Sequence, residues 1–448
     1  MRSLSASARR LADLPPPIQA RTHGSGQALS LGLVAAACAV GQVAVLVRRP
    51  LMFQLPDSPS YIDLASRLVR QPDLANLFDA YRTPGYPAFL ALVGYLQGNV
   101  AGSWVVYAQA ALMVVAACEV FALTAGLSGS RAAAVVAGIL FGSNVRLLDW
   151  ERLMMTESLA IFLVISIALA FWLWLSRRSV RWAAVFAVAS VLAVLVRPSL
   201  IYLPAGLLAV LLVGDAKRWL AVTVVAAVIY LPALGYGAVN DRLHPGAGLS
   251  AIGGVNLLGK VLEYGMQDEG DASRFAALRK EIADLPPGDK DPYDILRYDP
   301  GAFGPNYADA SAFSVDIIAR HPLEYLAKST DDFAGQWLIA PFAFIPPGPY
   351  PWLAQALASF ALLTYAAYAV LPLAVAVLIL VWGRLERKAA IGIAALFVVV
   401  IGGLATNALF VYVDFARIRT PVDALALVAV VSVAALAWRS ATASGHNV

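Results

Sequence analysis

Charge is scarce in this sequence. Of 448 residues, 14% are charged and 60% hydrophobic, where a soluble domain carries about 25% charged residues. Cysteine is scarcer still. Cys38 and Cys118 are the only two, and both fall inside apolar runs, which argues against a structural disulfide or a thiolate metal centre. The four histidines show no metal-ligand spacing. There is no Walker-type loop and no GxSxG elbow, so nothing points to a nucleotide cofactor or an elbow serine. The net charge of +4 gives no argument for nucleic acid. No internal repeat is visible, which weighs against transporters built from two related halves.

What the sequence has in quantity is long uncharged runs. Residues 28–47, 103–127, 132–147, 158–175, 220–236, 353–382, 389–413 and 422–438 approach or exceed the about 18 apolar residues that cross a bilayer. In lipid the backbone must satisfy its own hydrogen bonds, so such runs are helices. Residues 180–214 form a longer run broken at Arg197-Pro198, read as two short spans. The fold class expected is all-α, a polytopic transmembrane helical protein with about ten spans.

Arginine and lysine near span ends set orientation. Arg9, Arg10 and Arg21 precede the first run and place residues 1–27 in the cytoplasm as a polar tail, with no cleavable signal peptide expected. The basic joints at Arg131, at Arg177, Arg178 and Arg181, at Lys217 and Arg218, and at Arg384, Arg387 and Lys388 go to the same side. Residues 48–86 and 238–333 then lie outside. The segment 87–97 becomes a short membrane-embedded or interfacial helix. From 238 to 333 there are 16 acidic and 9 basic residues, with helical periodicity near 273–282 and 311–326. This stretch is expected to be a small, mostly helical extracytoplasmic cap, followed by C-terminal spans in 334–448.

The residues able to do chemistry gather at the outer span ends. Asp57 precedes Ser58-Pro59 and a short amphipathic segment, 60–70, suited to the membrane interface. Asp57 is either a helix cap or a functional acid; Ser58 can cap by itself because Pro59 suits the first helical position. Arg82 opens the turn Arg82-Thr83-Pro84-Gly85-Tyr86-Pro87, either snorkelling to headgroups or standing as a fixed cation for phosphate. Glu157 begins a span, where an acid suits the helix dipole and is also a common functional position. Arg417 and Arg419 share a short outer loop as headgroup anchors or a phosphate clamp. Tyr61 and Tyr86 are the expected substrate contacts beside them. Asp289-Lys290-Asp291 has the look of a nucleotide-sugar metal motif, but in an outer loop where nucleotide sugars are not expected.

The order of these features resembles the GT-C superfamily of membrane glycosyltransferases, in the branch with protein O-mannosyltransferases and the aminoarabinose transferase of lipid A. The features are Asp57 with its interfacial helix, the Arg82–Pro87 turn, Thr156-Glu157-Ser158 at a span start, the Arg197-Pro198 break and, more loosely, Arg417–Pro421. The resemblance covers residues 28–237 best, the GT-C-like module of about seven spans. It implies an integral inner-membrane enzyme whose donor is a sugar on a polyprenyl phosphate. The acceptor is a glycan, lipid or protein on the extracytoplasmic side, and the anomeric configuration inverts. Asp57 would be the general base, and Glu157 a second catalytic residue orienting the acceptor or a cation. Arg82, Arg417 and Arg419 would hold the donor phosphate. Some such enzymes use a divalent metal and others none, so the metal stays open. A transporter or lipid flippase, or a non-catalytic envelope assembly subunit, is the alternative.

Overall fold

In the computed structural model, seven helices among the described residues are long and apolar enough to cross a membrane: Gly26–Leu46, Trp104–Ser128, Glu157–Arg177, Ala216–Leu243, Gln355–Arg384, Arg387–Phe410 and Phe415–Thr442. An eighth crossing arises if Arg131–Gly142 and Val145–Arg152, bent by 46°, count as one broken span. The structure describes residues 24–47, 51–271, 273–284, 286, 291–297, 307–337, 339 and 351–445. The expected tail up to residue 23, the pair Asp289-Lys290 and the turn Asp299-Pro300-Gly301 lie outside them.

The bend has a local cause. Asn144 leaves the helix and its side-chain oxygen accepts from the backbone N–H of Arg146 and Leu147 at 3.1 and 3.4 Å, capping a new turn. The break at Arg197-Pro198 is present too: the helix Val180–Val196 ends there, and Pro198–Ile201 turns into Tyr202–Gly214. Both halves are shorter than the seven long helices. Gly85–Gln97 has 13 residues, about 20 Å of rise, too short for a hydrocarbon core of about 30 Å.

Glu157–Arg177 is the central helix. It packs against Trp104–Ser128, Val180–Val196 and Phe415–Gly445, and it buries most of its length. Its first residue, Glu157, therefore opens at the head of the bundle's most enclosed helix.

The helices Ile252–Glu263, Ala276–Asp284, Pro292–Ile295, Tyr307–Arg320 and Pro322–Gly335 form a separate layer. They share their own core, including Leu258, Leu278, Phe313 and Ile317. The layer grips the end of Arg387–Phe410 and the residues just after it. The hydroxyls of Tyr325 and Tyr264 donate to the carbonyls of Leu409 and Ala408, and Tyr412 N–H donates to Asn256 Oδ1 at 3.1 Å. Gly259 meets the Tyr412 ring so closely that a Cβ there would lie 2.3 Å from Cγ.

A second close approach fixes the site. A Cβ on Gly85 would fall 2.5 Å from the backbone of Leu195 and Val196, and backbone cannot yield as a flexible side chain can. Gly85→Ala is expected to cost about 1–3 kcal/mol, in line with overpacking elsewhere. Thermal unfolding in detergent measures it, and an unchanged midpoint would show that the two helices do not approach this way.

Candidate functional site

The first loop is stitched to the start of the central helix. Phe53 and Leu153 form one parallel bridge, in which Phe53 N–H donates to Arg152 O at 2.8 Å and Met154 N–H donates to Phe53 O at 3.2 Å. Ser58 Oγ accepts from Leu55 N–H at 2.9 Å and rests on Met155 Sδ at 3.6 Å. The start of the helix Ser58–Arg70 is thereby laid beside Glu157. Asp57 occupies the position before this helix, yet its side chain makes no capping bond. It is free for another task.

That task involves arginine. Asp79 Oδ1 accepts from the N–H groups of Tyr81 and Arg82 at 2.8 and 2.9 Å, and its Oδ2 pairs with Arg67 at 2.7 Å. The turn carrying Arg82 is thus tied to Ser58–Arg70. The Arg82 guanidinium donates to Ser60 Oγ at 2.8 Å, Tyr61 Oη at 3.1 Å and Asp57 Oδ1 at 2.8 Å. It lies over the rings of Tyr61 and Tyr81 at 4.3 and 4.1 Å. All three of its nitrogens are committed.

Arg417 joins the two acids. Its Nη2 donates to Asp57 Oδ2 at 2.9 Å and its Nε to Glu157 Oε1 at 2.8 Å. An outer contact runs from Nη1 to Asp414 at 3.4 Å. Asp57 and Glu157, a hundred residues apart in sequence, thus share one guanidinium. The backbone feeding Arg417 is strained: Val413 and Asp414 have φ of 53° and 54°, a left-handed conformation that is an outlier for a β-branched residue.

Arg197 completes the cluster. Its Nη1 reaches Glu157 Oε1 at 3.5 Å, and its side chain is 9% exposed. Asp57, Arg82, Arg197 and Arg417 line one cavity of about 940 Å³, with Ser199 and the cap residue Tyr293 among its walls. Three guanidinia pair with two carboxylates, the part-buried Asp57 and the buried Glu157 behind the wall, so this end of the cavity favours an anion. Burial pushes the Asp57 carboxyl up, but Arg82 and Arg417 outweigh it and hold the group below its ordinary value; these attractions favour the charged form.

The structure sorts the expected residues. Asp57, Glu157, Arg82, Arg417 and Tyr61 come together. Tyr86 stands behind: fully buried, edge-on to Tyr61 at a centroid distance of 5.2 Å, with its hydroxyl donating to Gln109 Oε1 at 3.1 Å. It supports Tyr61 and does not line the cavity. Arg419 lies apart. It pairs with Asp423 at 3.0 Å, donates to the carbonyls of Gln336 and Ile339, and stacks on Tyr368. Those bonds hold the chain after the cap against the last helix, which corrects its expected place in a phosphate clamp. Arg197, noticed in the sequence as a break and no more, is the functional candidate that went unrecognised. A charge inside an apolar run was its signal.

No family model matches this chain, and no curated protein does. Among solved structures it is similar to the oligosaccharyltransferase AglB from Archaeoglobus fulgidus in complex with an inhibitory peptide and a dolichol-phosphate. The identity is 17%, the TM-score 0.48, and the match covers 94% of this chain and 52% of that one. It is also similar to ArnT from Cupriavidus metallidurans bound to undecaprenyl phosphate, at 15% identity and a TM-score of 0.40, over 88% and 77% of the two chains. The chain spans about half the length of the oligosaccharyltransferase.

Proposed function

We propose that this chain transfers a sugar from a polyprenyl phosphate to an acceptor at the extracytoplasmic face of the membrane. The observation that carries the reading is Asp57: an acid released from capping, set in a cavity with three arginines. The acceptor's hydroxyl or amine gives its proton to the Asp57 carboxylate as its oxygen or nitrogen bonds to the anomeric carbon. The bond from that carbon to the phosphate oxygen breaks, and its electron pair leaves on the polyprenyl phosphate. Attack from the face opposite the phosphate inverts the configuration.

Negative charge grows on the phosphate as it leaves, and fixed cations aimed there lower the barrier. Arg197 suits this best, because Arg82 and Arg417 already bond carboxylates at short range. Arg197 sits where the turn Pro198–Ile201 opens a helix, whose N-terminal N–H groups and dipole also favour an anion. Glu157 holds both Arg197 and Arg417 in place.

The test is transfer by the purified protein from a radiolabelled polyprenyl-phosphate sugar panel to membrane extracts, followed across pH. Asp57 is a depressed carboxyl. The base is present above its folded pKa and is lost only as pH falls through it. The acid limb of kcat/KM, which reports the free enzyme, is therefore expected below the ordinary Asp value of about 3.9, and activity stays flat through mildly acidic pH. An acid limb near pH 6 would exclude Asp57 in this ion-paired state as the base. No transfer from any donor of the panel would overturn the reading itself.

A further inference from the structure

Asp57 on the cavity wall and Glu157 buried close by share one guanidinium; two acids so near one cation could equally flank a divalent metal ion, and the residues present decide whether one fits. Asp57 and Glu157 approach from different helices, as ligands of a shared ion would. Yet each turns an oxygen to the same guanidinium, Arg417, at 2.9 and 2.8 Å. The second oxygen of Asp57 is taken by Arg82 at 2.8 Å, and Glu157 Oε1 is shared with Arg197. Of the four oxygens of the two carboxylates, Glu157 Oε2 alone is without a partner. Among the described residues no group of three or more His, Cys, Asp or Glu side chains could hold an ion. Calcium takes six to eight oxygens and magnesium demands a near-octahedral set. One free oxygen among three arginines supplies neither the ligands nor the sign of potential.

We infer that Arg417 is a built-in cation occupying the place of a divalent metal, bridging Asp57 and Glu157 and making the site independent of any bound ion. The guanidinium is planar, always charged and able to donate in two directions at once, so it joins two carboxylates as a metal would, without exchanging with solvent. Its position is enforced from the cap side. Asn256 holds Tyr412, Gly259 lets the Tyr412 ring approach, and the left-handed pair Val413 and Asp414 turns the chain into the helix that carries Arg417. A fixed cation at this point holds the two carboxylates side by side. The inference rests on the transferase reading only for what that pair then does.

The experiment is Mn²⁺ binding to the full-length protein in detergent, read by electron paramagnetic resonance and by thermal unfolding. Wild type is expected to bind no Mn²⁺ that Asp57→Asn abolishes, and EDTA leaves its unfolding midpoint unchanged. Arg417→Ser, which removes the guanidinium and leaves both acids, is expected to bind Mn²⁺ at least tenfold more tightly than wild type and to be stabilised by it. The double variant with Asp57→Asn loses that gain. Arg417→Gln, which keeps more of the side-chain volume, gives the same sign should Arg417→Ser fold poorly without the ion. Stoichiometric Mn²⁺ on wild type, lost with Asp57→Asn, would overturn the inference, as would the absence of any Mn²⁺ gain in both Arg417 variants. These readouts need no donor sugar, so a failure of the transferase reading leaves them interpretable.

Discussion

Asp57→Asn is expected to remove transfer almost completely, by about 10²–10⁴-fold in kcat, the usual cost of losing a general base. Asparagine keeps the size and can still accept from Arg82 or Arg417, but it cannot take a proton. Were Asp57 a helix cap, the exchange would be nearly silent, because Asn caps about as well as Asp. The geometry separates these outcomes, since the Asp57 side chain makes no capping bond. Some stability should go with the charge. An amide has one acceptor oxygen, so one of the two bonds from arginine is lost and the other no longer meets a carboxylate; hydrogen bonds to charged groups contribute about 1.5–3 kcal/mol each. The fold should nonetheless hold, as Arg417 keeps Glu157 and Arg82 keeps Ser60 and Tyr61. The decisive comparison is kcat beside the donor dissociation constant. A base-less enzyme binds donor and turns it over slowly. Turnover above about a tenth of wild type would remove Asp57 from the role of base.

The helices were legible because lipid leaves an apolar run no other structure. The broken element at Asn144 was less so. Residues 132–147 read as one span, and the bend depends on one amide side chain recapturing two N–H groups. At the site, sequence order placed Asp57, Arg82 and Glu157 at or beside helix starts, and the structure has them there. It could not show the bridge from Phe53 to Leu153, a pairing across a hundred residues with no periodic signal. Nor could it separate Arg417 from Arg419. Two residues on a helix are turned apart by about 200°, so one arginine faces the cavity and the other faces away. The clue was Asp423, four residues beyond Arg419, the spacing of a helical ion pair; it marks Arg419 as already engaged. Arg197 was missed for the opposite reason: next to a proline, it read as punctuation.

Arg197→Gln should move stability and binding in opposite directions. Among the described residues Arg197 is a buried cation with one long ionic contact, 3.5 Å to Glu157. Burying a charge with so little compensation is costly, and replacing it by a neutral group is often neutral or stabilising. Glu157 does not suffer, because Arg417 still donates to it at 2.8 Å. The unfolding midpoint of the ligand-free variant is therefore expected at or above that of wild type. A phosphate arriving in the cavity meets the reverse situation. Arg82 has no uncommitted nitrogen and Arg417 is spread over three acids, so Arg197 is the guanidinium with the most donors left to give. A charge-assisted bond of about 1.5–3 kcal/mol corresponds to a loss of about 10–150-fold, at tenfold per 1.36 kcal/mol. The measurement pairs a short-chain polyprenyl phosphate with the matching polyprenol. Wild type should prefer the phosphate and Arg197→Gln should bind the two nearly alike, with affinity for the alcohol unchanged. An arginine kept for packing gives the other pattern, a lower midpoint with the preference for phosphate intact, and that result would return the phosphate to Arg82 and Arg417.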